Sequence, residues 1–166
     1  MNNRPLRSAS VAPKSNAVHV RRATSSDLDS LVALENRAFS ADHLQPRQWQ
    51  RHLESASALV LVAVASGAIV AAAVVFWRRG SDIARLYSMA RLPEARGRGL
   101  GDAMLAACEA AARRHGSRRM RLEVRRDNAA AQRLYLRHGY IRIGQRSAYY
   151  EDGEDALLFE KALTAK

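Results

Sequence analysis

The segment Arg96-Gly97-Arg98-Gly99-Leu100-Gly101 constrains this chain more than any other. It lies after the apolar-rich run Ile83–Leu92, which reads as a strand stopped by Pro93, and it opens a helical run over Gly99–His115 closed by Gly116. A strand, a glycine-rich turn and a helix N-terminus together form an anion site. Glycines let the backbone approach a ligand closely, and the first N–H groups of a helix point outward unpaired. Arginine adds charge in a donor fork that suits phosphate. Taken alone, the hexamer also fits an ordinary turn or helix cap. Its weight comes from the residues downstream of it.

Elements alternate around this segment. Val18–Arg22 reads as a first strand. Thr24–Phe39 reads as a helix with Ser25 and Ser26 as capping candidates and an apolar face of Leu28, Leu31, Val32, Leu34 and Ala38. Pro46–Glu54 is a short second helix begun by proline. Ala58–Trp77 carries no charge and is as long as the roughly 20 residues that cross a bilayer. Ser66-Gly67 divides it at its midpoint, so it reads as the two buried strands of a hairpin. In Arg119–Arg125, Met120, Leu122 and Val124 alternate with Arg119, Arg121, Glu123 and Arg125, as in a strand with one buried face. Asn128–His138 is a further helix, capped by Asp127 or Asn128 and closed by Gly139. Tyr140–Tyr150 and Ala156–Ala162 form a last strand pair about a turn at Glu151–Asp155. The order predicts an α/β (α+β) fold with a mixed, mostly antiparallel sheet of six to seven strands and about four flanking helices. Residues 18–164 make a single domain, preceded by a basic, disordered tail at 1–17 that lacks the apolar core of a signal peptide.

Lys and Arg outnumber Asp and Glu by 27 to 16, giving a formal charge of +11. The excess suits anionic partners such as a phosphorylated cofactor, an acidic protein or RNA, and it also fits a merely solvated surface. Aromatics are 6% of the chain and no RNA-binding motif interleaves them with the charge, so nucleic acid is not expected as a substrate. The single cysteine, Cys108, excludes an internal disulfide and a cysteine-based zinc cluster. It shares a helical stripe with Leu100, Met104, Leu105 and Ala112 and reads as a core thiol rather than a nucleophile. The histidines show no metal spacing, and no metal is expected. The expectation is a soluble, cytoplasmic protein without a membrane partner, a monomer or homodimer.

From Ile83 onward the chain resembles the GNAT acetyltransferases, and within them the RimI-like N-terminal acetyltransferases. The resemblance is carried by Arg96–Gly101, then Leu122-Glu123-Val124-Arg125, Asp127-Asn128-Ala129-Ala130, Leu134-Tyr135 and Gly139-Tyr140. It is completed by Tyr149-Tyr150 and Asp152-Gly153-Glu154-Asp155-Ala156-Leu157. Upstream it rests on topology and on positions such as Glu35 and Phe39. The resemblance implies acetyl-CoA as donor. Arg96, Gly97, Arg98, Gly99, Leu100, Gly101 and the helix start at Asp102 would hold the pyrophosphate. Asp102 is an unusual neighbour for phosphate, though an acid in the first turn suits the helix dipole. A splayed strand would offer the backbone of Met89, Ala90 and Arg91 to the pantetheine arm.

Asn128 and Tyr135, two helical turns or about 10.5 Å apart on one face, match the family's pantetheine ligand and thioester-side acid. Glu123 matches the RimI-like general base. The plainer readings are a helix cap for Asn128, a packing ring for Tyr135, and for Glu123 a surface carboxylate paired with Arg121 or Arg125. The acceptor implied is an amine, foremost a protein N-terminus of the ribosomal-protein-alanine type. A small amine or a lysine side chain is the alternative, as is a basic RNA- or ribosome-binding module that merely retains the fold. One departure concerns the acceptor. Arg85 and Tyr87 stand on the strand face where family members acting on protein N-termini often carry an acid.

Overall fold

The computed structural model describes residues 17–164. The expected tail at 1–17 lies, up to residue 16, outside the described residues. The elements are β1 (His19–Arg22), α1 (Leu28–Ala38), α2 (Pro46–Glu54), β2 (Ala58–Ala65), β3 (Ala68–Trp77), β4 (Ile83–Arg91), α3 (Leu100–His115), β5 (Arg119–Arg125), α4 (Ala129–Arg137), β6 (Ile141–Arg146) and β7 (Ala156–Ala162). The strands form one seven-stranded sheet in the order β1-β2-β3-β4-β5-β7-β6. Every neighbouring pair is antiparallel except β4 and β5, which α3 joins as a parallel crossover. The mixed, mostly antiparallel sheet expected from the sequence is therefore present, at the upper end of its strand count.

The uncharged run 58–77 is the hairpin β2–β3. Ser66 and Gly67 both take positive φ, 50° and 78°, the geometry that lets a two-residue turn follow the twist of its strands. Its side chains leave on both faces because both are covered. Leu59, Leu61, Ala71, Ala73 and Val75 enter a core with Leu100, Met104, Leu105 and Cys108 of α3. Val60, Val62, Ala72 and Val74 enter a second core with Leu31 and Leu34 of α1 and Trp49 of α2. A strand buried on both faces has no polar alternation, which is why its hydropathy matches that of a membrane span. Among the described residues no helix is long and apolar enough to cross a membrane.

Two boundaries differ from expectation. The helix expected from Thr24 begins as a 3₁₀ turn at Ser25–Asp27, and its start is held by Asp27 rather than by Ser25 or Ser26. The Asp27 carboxylate accepts from the Thr24 N–H at 2.8 Å and takes both ends of the Arg21 guanidinium, at 2.8 and 2.9 Å. The strand expected over Tyr140–Tyr150 ends at Arg146. There the backbone turns into the left-handed region at Ala148 (φ 49°), and Asp155 accepts the Ala148 N–H at 2.9 Å. A longer loop results, and it places Tyr149 and Tyr150 beside the end of β5.

The Arg21 guanidinium, first among several causes, holds the Asp27 carboxyl at about 2, below its ordinary 3.8. Because the folded value is the lower one, the stabilisation is complete above the unfolded value and fades as pH falls towards 2. Asp27→Asn is expected to lower unfolding stability at pH 7 by about 1–2 kcal/mol. Urea titrations should show the gap between variant and wild type narrowing below pH 4. An equal gap at pH 7 and pH 3 would assign the loss to something other than the ion pair.

Candidate active site

Strands β4 and β5 pair over only four registers, from Ile83 with Arg119 to Leu86 with Leu122. Beyond that point β4 is bonded only to β3, and β5 only to β7. The two strands part like a wedge, and the edge of Met89, Ala90 and Arg91 that faces β5 has no strand partner. The parting coincides with a β-bulge. Val74 pairs with Ser88 and Val75 with Leu86, so Tyr87 is the extra residue. The bulge changes the strand's phase. Ala84 and Leu86 point into the α3-side core, whereas Ala90 enters the core beneath α1 and α2. Bulges bend and twist a strand and recur beside active sites. Nothing in the composition of Ile83–Leu92 marks this one.

The wedge opens towards the glycine-rich turn. Gly97 and Gly99 both take positive φ, 76° and 68°, and Gly99 is the N-cap of α3. A glycine cap has no side chain to offer, so the N–H groups of Leu100, Gly101 and Asp102 are left open. The first bond back into the turn is that of the Ala103 N–H to the Gly99 carbonyl, at 3.0 Å. Leu100 is buried and anchors the turn. At Gly101 a Cβ would meet Leu134 Cδ2 at 3.2 Å and stand 3.9 Å from Arg91 Nη1. That glycine therefore allows α4 to close on α3, and it lies next to the Arg91 guanidinium. Arg96 and Arg98 are exposed on the turn. Asp102 turns its carboxylate away towards Arg137 Nη2, at 2.8 Å, and His138 Nε2, at 2.7 Å. Arg137 foremost, then His138, draws that carboxyl below its usual range. This accounts for an acid in the turn, since its charge is spent on the end of α4.

Asn128 is the N-cap of α4, its Oδ1 accepting the Ala131 N–H at 3.1 Å. The capping reading therefore holds, while the amide nitrogen stays uncommitted. Tyr135 is buried among Tyr140 and Phe159 in the α3-side core, and burial, with a smaller effect of Cys108, raises its phenol above the ordinary value. Glu123 projects from the opposite face of β5, since Leu122 and Val124 belong to the same core as Tyr135. The two groups thus flank the wedge from opposite sides of the sheet. Tyr150 stands between them electrostatically. Burial, with contributions from Tyr149 and Glu123, pushes its phenol up to about 12, and Tyr150 in turn contributes to the raised value of Tyr135.

The partner expected for Glu123 is corrected. Neither Arg121 nor Arg125 holds it. Arg121 faces Glu160 directly across the β5–β7 ladder and bonds it at 2.5 Å. Arg125 is taken by Asp152 and Asp127. Glu123 Oε2 instead accepts from Arg85 Nε at 3.1 Å, a diagonal contact to the neighbouring strand. Diagonal partners lie about 7–8 Å apart, within reach of a long side chain, and Arg85 is the arginine beside Glu123 that no other carboxylate has taken. Arg85 also donates to the Tyr149 hydroxyl at 3.0 Å and lies over Tyr87. These contacts cross from β4 to the β6–β7 loop, and no single-strand pattern could have shown them. Arg125 does similar work beside them. Its guanidinium sits 4.7 Å over the Tyr150 ring and 3.7 Å from Asp42 in the α1–α2 loop. Glu35, 1% exposed on α1, accepts the Leu44 N–H at 2.8 Å and so fixes the far side of that loop. Cys108 is buried and its thiol is pushed up to about 12 by burial, which makes it a poor nucleophile. Among the described residues no cluster of histidine, cysteine or carboxylate could hold a metal.

The Acetyltransferase (GNAT) family model matches residues 28–140. A Bacillus subtilis (strain 168) protein provisionally named a ribosomal protein bS18-alanine N-acetyltransferase is 31% identical over 140 residues, which are 84% of this chain and 91% of that protein. The crystal structure of the ribosomal-protein-S18-alanine N-acetyltransferase from Escherichia coli superposes with a TM-score of 0.81 at 25% identity, covering 90% of this chain and 96% of that one. A provisionally assigned acetyltransferase from Salmonella typhimurium, yncA, solved with its cofactor acetyl-CoA, has a TM-score of 0.75 at 22% identity over 91% of this chain and 96% of its own. A parted parallel pair at the head of an open helix, matched by a family model across most of the sheet and by a relative along most of its length, has one reading: the chain belongs to the GNAT family of N-acetyltransferases.

Proposed function

We propose that this enzyme transfers the acetyl group of acetyl-CoA directly to the N-terminal amine of a protein. The observation that carries the donor half is the wedge between β4 and β5, with its free strand edge aimed at the open start of α3. The residues present fit the cofactor. Open N–H groups at Leu100–Asp102, with Arg96 and Arg98, suit a pyrophosphate, and the unpaired edge of Met89–Arg91 suits a chain of amides. The uncommitted amide nitrogen of Asn128 would add a donor beside that chain. Bound acetyl-CoA supplies the acetyl group as an activated thioester. The acceptor half draws support from the relatives in Bacillus subtilis and Escherichia coli, both named as ribosomal-protein-alanine N-acetyltransferases.

The chain's own groups divide the proton work. Glu123 is oriented by Arg85 through Oε2, and Oε1 makes no hydrogen bond among the described residues, so it can accept a proton from the incoming amine directly or through water. Tyr135, kept protonated by its burial, would return a proton to the departing sulfur. An α-amine has an ordinary pKa near ~8, so freeing it at pH 7 costs about 1 kcal/mol. A lysine amine near ~10.4 costs about 4–5 kcal/mol. A carboxylate tied to a guanidinium is adequate for the first task and poorly matched to the second.

Tyr135→Phe removes only the hydroxyl. It is expected to leave acetyl-CoA affinity unchanged by calorimetry while slowing turnover about 100-fold. A wild-type rate would leave Tyr135 with packing alone.

Glu123→Gln separates the acceptor classes in a pH–rate series at saturating acetyl-CoA with a peptide acceptor. For an α-amine the loss is greatest near neutral pH and shrinks as pH rises through ~8, because the amine then deprotonates unaided. A loss that persists well above pH 9 would indicate a lysine acceptor. A profile identical to wild type would remove Glu123 from the chemistry.

A further inference from the structure

The sheet has a second cationic end, opposite the wedge. The turn from β3 to β4 carries Arg78 and Arg79, the last turn of α3 carries Arg114 and His115, and the link from α3 to β5 carries Arg118, all exposed. Four contacts bring these segments together. The Arg118 and Arg119 N–H groups bond the Asp82 carbonyl at 2.7 and 3.1 Å, Arg119 pairs with the Asp82 side chain at 3.2 Å, and His115 stacks on Trp77 with ring centres 4.0 Å apart and planes 18° apart. Beside them, Arg113, Ser117, Arg118, Leu163 and Thr164 line a depression of about 400 Å³.

The nearby carboxylates are already engaged, Asp82 by Arg119, Glu160 by Arg119 and Arg121, and Glu109 by Lys161 and Arg113. Arg78, Arg79, Arg114 and Arg118 have no ion-pair partner among the described residues. The arginines around the acceptor cleft differ, since Arg85, Arg121 and Arg125 are each held by a carboxylate. The cluster also lies a full strand away from the glycine-rich turn. The nine residues of β4 separate the two ends by about 25–30 Å.

We infer that this end of the molecule docks on the phosphate backbone of structured RNA. Closely set like charges with no internal partner repel one another and favour a polyanion. Guanidinium forks match phosphate oxygens, and the flat Trp77–His115 pair gives the patch a planar aromatic element. A nucleic acid backbone supplies phosphates at short, regular intervals, whereas an acidic protein would have to match the spacing side chain by side chain. Bound here, RNA would leave the wedge and the acceptor cleft open at the opposite end. The inference does not depend on the identity of the acceptor.

The test uses the full chain and a fluorescein-labelled RNA duplex, read by anisotropy across 50–200 mM salt. Arg78→Gln, Arg79→Gln, Arg114→Gln and Arg118→Gln are combined in one variant. It is compared with a charge-matched control carrying Arg47→Gln, Arg51→Gln, Arg142→Gln and Arg146→Gln. The wild type is expected to bind with steep salt dependence. The first variant should flatten the slope of log affinity against log salt by about 3–4, one for each lost phosphate contact, while acetylating a short peptide at the wild-type rate. The control should bind like wild type. Equal losses in both variants would show that only net charge matters and overturn the site. Binding of polyglutamate or phosphatidylserine vesicles as tight as that of RNA would overturn the assignment to nucleic acid.

Discussion

The structure depends on one parallel strand pair set in an otherwise antiparallel sheet. Parallel neighbours need a crossover, and α3 provides it, starting above the far end of β4 and returning to the start of β5. That geometry places a helix N-terminus beside the C-terminal ends of two strands. Because β4 and β5 stop pairing after Leu86 and Leu122, those ends also present unbonded backbone. Unpaired amides are costly unless water or a ligand takes them, so a parted pair inside a sheet persists where something binds. The bulge at Tyr87 makes the parting possible by bending β4 while its β3 ladder continues. The open cap at Gly99 and the free edge at Met89–Arg91 are therefore two results of one topological choice.

Charge is divided along the sheet. Around Glu123, Arg85 and Arg125 are each held by a carboxylate, so Glu123 and the loops bearing Asp42, Asp127 and Asp152 are held in place rather than left to a diffuse positive field. A cationic amine could approach such a neutralised mouth with less repulsion than the overall charge of +11 suggests. Arginines without an ion pair among the described residues lie elsewhere, on the glycine-rich turn and at the far end, and also on α2 and β6. The net charge of the chain thus describes its outer surface rather than the neighbourhood of Glu123.

Much of this was legible in the sequence because local rules and global fold agree. The Ser66-Gly67 turn, the alternation of Arg119–Arg125 and the glycines closing α3 and α4 each describe an element that forms as read. Asn128 was recognisable as a cap because capping is a local act. Contacts between strands were not legible. The pairing of Glu123 with Arg85 depends on the register of β4 against β5, and Arg121 was unavailable because β7 brings Glu160 opposite it. Tyr149 and Tyr150 stood in the motif, but their place beside Glu123 required the loop that Ala148 begins and Asp155 secures. The bulge at Tyr87 left no trace in composition, since Leu86 before it is buried and Ser88 after it half-buried, as in an unbroken strand.

The central claim is that the edge of Met89–Arg91 facing β5 is left free for the donor. Amide hydrogen exchange of the segment around Met89–Arg91, followed with and without acetyl-CoA, tests it most directly. The account predicts marked slowing of exchange there and at Leu100–Asp102 on adding acetyl-CoA, with Ala84–Leu86, already paired on both sides, unchanged. Saturating acetyl-CoA that slowed exchange at neither Met89–Arg91 nor Leu100–Asp102 would contradict it.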